Sequence, residues 1–127
     1  MSQGVGDCGA KRLAIALSCN NLLLYLNLSN NRIGVEGGKA IARSLFDADG
    51  NPSRSALRRL DLSCNSIGDD GAKAFGETLL YNNTLDTLDL SDNKIGIDGI
   101  VALLEGLKDN YAYHMLGFEV NLEKMYS

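Results

Sequence analysis

The chain has no tryptophan and a single proline in 127 residues. With 45% hydrophobic and 22% charged residues, it has the composition of a folded domain and not of a disordered segment. Basic residues are in the minority, 12 Lys and Arg against 16 Asp and Glu, and no cluster of them stands out. Nucleic-acid binding needs such a cluster, so that class is excluded. No apolar run approaches the roughly 18 residues of a membrane span, so no membrane partner is expected. The opening MSQGVGD has neither the basic start nor the apolar centre of a secretory signal. It also lacks the glycine that myristoylation needs after Met1. Three cysteines, Cys8, Cys19 and Cys64, are odd in number and have no C-x-x-C spacing. That argues against a disulfide framework or a zinc site and fits a reducing, cytoplasmic compartment. No cofactor is called for.

Glycine is what the sequence does have, 14 residues of it. Residues 4–14 read GVGDCGAKRLA, and Gly4, Gly6 and Gly9 spell the G-x-G-x-x-G of a dinucleotide-binding turn. Such a turn must follow a strand, and only Met1, Ser2 and Gln3 precede it. The motif has another explanation inside the chain. Residues 67–93 shifted back by 62 place Ile67 on Val5, Gly68 on Gly6, Asp69 on Asp7 and Gly71 on Gly9. GVGDCG is therefore the turn-and-helix half of a repeat.

The repeat is plain elsewhere. LLYLNLSNNRI from Leu23, LRRLDLSCNSI from Leu57 and LDTLDLSDNKI from Leu85 all fit L-x-x-L-x-L-x-x-N-x-I. The last two start 28 residues apart. The first unit is six residues longer, and the surplus lies in FDADGNPSRSA, a loop sequence. A further 28 residues on, YHMLGFEVN keeps Leu116, Phe118 and Asn121 in the same spacing. Between these phrases, GVEGGKAIARSL, GDDGAKAFGETL and GIDGIVALLEGL superpose without gaps, each with one helical apolar face. Strand residues alternate sides, so Leu26/Leu28, Leu60/Leu62, Leu88/Leu90 and Leu116/Phe118 face one apolar layer. Helices near 7–18, 36–46, 70–80 and 98–108 cover it. Each strand reaches the next through a helix, so the strands centred on Leu26, Leu60, Leu88 and Leu116 run parallel.

This pattern resembles the leucine-rich repeat, and "LDLSxNxIGxxGAxA" with its 28-residue period resembles the ribonuclease-inhibitor-like subfamily. The resemblance runs from about Val5 to Asn121. It implies an α/β solenoid, a short horseshoe segment with parallel strands on the concave face and helices on the convex face. One domain, 1–127, is expected, with a partial repeat over 5–22, repeats from 23, 57 and 85, and a degenerate last strand over 113–121. Neither end shows a polar capping unit. The expectation is a fragment, a chain completed by a partner, or self-association through the open ends.

Asn31, Asn65, Asn93 and Asn121 recur where the chain leaves the strand. A side-chain amide donates and accepts at once, so this column is expected to satisfy buried backbone groups. Asn83 is expected to cap a helix C-terminus. His114, the one histidine, would need a nucleophile beside it for catalysis. Cys64 lies two strands away, about 10 Å by strand spacing. Asp47-Ala48-Asp49-Gly50-Asn51 lacks the full spacing of a calcium loop. Asp61 and Asp89 share a repeat position and read as solvated strand residues. No catalytic or metal-binding set emerges, and the chain reads as non-enzymatic.

The outward strand positions form the candidate site. One column is Tyr25, Arg59, Thr87 and Met115, with Arg58 and His114 at its margin. Interfaces favour Tyr, Met and Arg, so the expected function is protein binding by the concave face, as a module or scaffold. The family also contains the Ran GTPase-activating protein, which implies the alternative of a small-GTPase regulator. The short chain without a strongly acidic tail speaks against that. A structural subunit of a larger assembly is the third reading.

Overall fold

The computed structural model describes residues 4–47, 49, 55–110 and 119–121. Helices and strands alternate: α1 Gly6–Cys19, β1 Tyr25–Asn27, α2 Val35–Arg43, β2 Arg59–Asp61, α3 Gly68–Tyr81, β3 Thr87–Asp89, α4 Ile97–Lys108 and β4 Glu119–Asn121. The strands form one sheet in the order β1-β2-β3-β4, and every pairing is parallel. Leu26, Leu60 and Leu88 stand side by side in it. The chain is thus an α/β solenoid, with parallel strands in one layer and helices in the other.

The alternation of leucines drives this arrangement. Leu60, Leu62, Leu88 and Leu90 are all buried, each contributing about 1.5–3 kcal/mol for leaving water. The helices close the layer with Ile41, Leu45, Phe75, Leu79 and Leu103. Neighbouring strands stand about 4.8 Å apart and packed helices about 8–10 Å apart. Stacking one layer on the other therefore curls the solenoid with the strands inside. Glycine brings two of the helices closer than usual. A Cβ built on Gly76 of α3 would stand 2.5 Å from the carbonyl oxygen of Ala102 on α4, and Gly106 packs back onto the Gly76 backbone.

The last strand departs from the expected register. Val120 pairs with Leu88, four residues beyond Leu116, and Asn121 pairs with Asp89. Asn121 therefore stands in the row of Asn27, Asp61 and Asp89 and does not continue the Asn31–Asn65–Asn93 column. The cause is the period of a strand. Leu116, Phe118 and Val120 all have the same parity, so an even slip keeps the apolar side of the pattern unchanged. Leu116, His114 and Met115 lie outside the described residues.

Turns that leave the strands repeat one backbone state. Asn30, Cys64 and Asp92 have φ of 55°, 58° and 55°, all left-handed. Asn and Asp visit that region readily and Cys does not, which makes Cys64 a turn residue held against its preference. No helix among the described residues is long and apolar enough to cross a membrane.

Candidate functional site

Tyr25, Arg59 and Thr87 stand abreast on β1, β2 and β3. The next place in this row belongs to Glu119, where the 28-residue spacing puts Met115. Tyr25 is 55% exposed, Arg59 is exposed and Thr87 is half-buried. With Leu60, Asp61 and Asp89 they line an open recess of about 310 Å³. Arg58, one residue earlier, is engaged: its Nε donates to Asp86 Oδ2 at 2.8 Å. Arg59 has no ion-pair partner among the described residues.

The acids of the recess are turn staples as well as surface. Asp61 Oδ1 accepts the Ser63 N–H at 2.9 Å and its hydroxyl at 2.7 Å. Asp89 holds Ser91 the same way, at 3.0 and 2.6 Å. Asn27 does so for Ser29. A D-L-S phrase is thus a strand end tied to its own turn. The expectation of plain solvated side chains misses this, though the recurring Ser two residues after the acid is its signal.

The asparagine column stitches adjacent repeats. Asn65 Oδ1 accepts the N–H groups of Asn31 and Ile33, at 2.9 and 3.0 Å. Its Nδ2 donates to the carbonyls of Leu28 and Leu62, at 3.0 and 2.8 Å. Asn93 accepts from Ile67 N–H and donates to Leu62 and Leu90 carbonyls. Asn31 accepts from Val5 N–H at 3.1 Å and donates to the Ser29 carbonyl.

A second asparagine row escapes the sequence reading. Asn82 is the C-cap of α3, with extended backbone at φ −82° and ψ 142°, so the cap falls one residue before Asn83 and is not left-handed. Its Nδ2 donates to the Leu45 carbonyl, and its Oδ1 accepts from Thr84 and Leu85 N–H. Asn110 repeats the bond to the Leu79 and Asn82 carbonyls.

The glycine-rich opening is likewise absorbed by packing. Gly6 N–H donates to the Asn31 carbonyl at 2.8 Å, as Gly68 N–H does to Asn93. Asp7 Oδ1 accepts the N–H groups of Gly34 and Gly37 at the start of α2, at 2.6 and 3.1 Å. The anion-binding end of that helix is therefore filled by the protein's own carboxylate. Cys8, Cys19 and Cys64 are free and exposed. No group of three metal-ligating side chains occurs among the described residues.

A leucine-rich repeat model matches residues 17–42, 55–76 and 81–104. No curated protein matches the chain. Among solved structures, the chain is similar to "Leiomodin-1 Actin-Binding Site 2 (ABS2)", at a TM-score of 0.76 and 24% identity. The likeness covers 99% of this chain and 66% of that one, and it is a likeness of fold.

Proposed function

The chain belongs to the leucine-rich repeat family, and from that premise we propose that it binds a protein partner through its concave sheet face, as a non-enzymatic module. One observation carries the reading. Arg59 is an exposed cation without an ion-pair partner among the described residues, abreast of the exposed ring of Tyr25 on an open recess. Tyr and Arg are the side chains that most often carry interface energy. An unpaired guanidinium beside an aromatic ring suits a carboxylate-bearing partner surface. The row Tyr25, Arg59, Thr87 holds the centre of this face and Arg58 its margin.

The test is capture of binding partners, identified by mass spectrometry, with wild type and with Tyr25→Ala/Arg59→Ala in parallel. The double variant should lose the partner at unchanged thermal stability. Lys39→Ala and Lys73→Ala, on the helical side, should keep it. The reverse pattern would move the binding surface to the helices. The likeness to the leiomodin-1 actin-binding site makes actin the first pure partner to assay. A small-GTPase regulator would instead accelerate GTP hydrolysis, which a phosphate-release assay reads separately.

A further inference from the structure

We propose, resting on concave-face binding, that the recess recognises a pair of opposite charges on a helix of the partner. A carboxylate of the partner meets Arg59, and an ammonium or guanidinium one helical turn away meets Asp61. Asp61 is thereby a second determinant of specificity beside Arg59.

Two neighbouring arginines behave differently. Arg58 Nε reaches Asp86 Oδ2 at 2.8 Å. Arg59 shares its recess with Asp61 and Asp89 and makes an ion pair with neither. The cause is a tether on the acids. Asp61 Oδ1 is taken by the N–H and the hydroxyl of Ser63, and Asp89 Oδ1 by those of Ser91. A carboxylate tied to its own turn stays two residues along the strand from Arg59, about 6–7 Å away. Asp61 Oδ2 accepts no hydrogen bond among the described residues. Two opposite charges therefore line one recess, held in place without neutralising each other. Holding them costs the ligand nothing on binding, which is the benefit of preorganisation.

The ligand follows from that arrangement. A lone anion satisfies Arg59 but is repelled by Asp61, and a lone cation meets the reverse. A ligand with both signs at the same spacing satisfies both. Residues i and i+4 of a helix share a face and lie about 6 Å apart along its axis, close to the span of two strand residues. An extended peptide has a similar spacing at i and i+2. Such peptides, however, bind at the edge of a sheet through main-chain bonds. The recess lies on the face of β1, β2 and β3, away from the edges, and offers side chains. The exposed ring of Tyr25, abreast of Arg59, is placed to cover the apolar stem of the partner's acid.

The fold itself supplies a clean variant. Asn27 holds the place of Asp61 on β1 and accepts the same two bonds from Ser29, at 2.9 and 2.7 Å. Asparagine therefore keeps this turn and carries no charge. Asp61→Asn should fold like the wild type and lose only the anion.

The probes are three blocked, alanine-rich helical peptides of about 17 residues, long enough to be helical alone. One carries Glu four residues before Lys, one has Gln in place of Lys, and one has Gln in place of Glu. Binding to the 127-residue chain is read at low salt from NMR shifts of the Tyr25 and Arg59 signals. The Glu/Lys peptide should bind about three- to fivefold tighter than either control. In Asp61→Asn the peptide with Glu alone should match it. Equal binding of all three peptides overturns the proposal, as does binding of none, or a preference for Glu/Lys that survives Asp61→Asn. Should that variant not fold, the wild-type series decides alone. In partner capture, a protein lost by Tyr25→Ala/Arg59→Ala and kept by Asp61→Asn leaves concave-face binding standing and overturns the charge pair. A protein kept by both variants overturns the two together.

Discussion

Asp69 Oδ1 accepts the Gly96 N–H at 2.6 Å, so the first turn of α3 caps the first turn of α4. Gly99 N–H adds a second bond at 3.2 Å. Asp7 does the same for α2 from α1. None of α1–α4 has a cap from its own N-cap side chain among the described residues, so the device is made between repeats. Asp69→Ala should lower stability by about 1–2 kcal/mol, the range for a lost cap and its charge at a helix start. Asp70→Ala, exposed and one residue along, should change it by less than about 0.5 kcal/mol. Urea denaturation midpoints of the two variants check this.

Asn65→Ala strands several main-chain groups at once, buried ones on Ile33 and Leu28 and a half-buried one on Asn31. The expected loss is about 1–3 kcal/mol. Asn83→Ala, exposed, should cost almost nothing. Equal unfolding midpoints would contradict the stitching role.

Gly76→Ala separates packing from propensity. Alanine inside a helix gains up to about 1 kcal/mol over glycine, so local preference alone says the variant is more stable. The new methyl would stand 2.5 Å from a carbonyl oxygen that belongs to backbone. The expected outcome is therefore a lower melting temperature, with α3 and α4 pushed apart. A rise would show that the two helices separate freely.

Cys64→Asn should stabilise the chain. Its φ of 58° is shared by Asn30 and Asp92, near 55° in both. An ordinary side chain pays roughly 1–2 kcal/mol in the left-handed region, and Asn pays less. A gain of about 0.5–1 kcal/mol is expected from thermal denaturation. No gain would mean that the thiol makes a contribution of its own.

The repeat, its 28-residue period and the inward leucines are fixed by sequence alone, because strand and helix periods are local properties of the chain. The asparagine column is legible over Asn31, Asn65 and Asn93, where a recurring amide at a strand exit can serve buried backbone, but not at Asn121, which pairs with Asp89. That Tyr25, Arg59 and Thr87 stand abreast follows directly from the repeat register. Three features needed the tertiary structure. Asp7 and Asp69 reach N–H groups 27 residues or more away, and no local pattern says which helix a first-turn acid will cap. Asn82 and Asn110 bond to carbonyls of the preceding repeat, so their role exists only once repeats are stacked. The register of β4 was decided by pairing as well. Leu116, Phe118 and Val120 have the same parity in the sequence, and only strand pairing opposite Leu88 selects Val120.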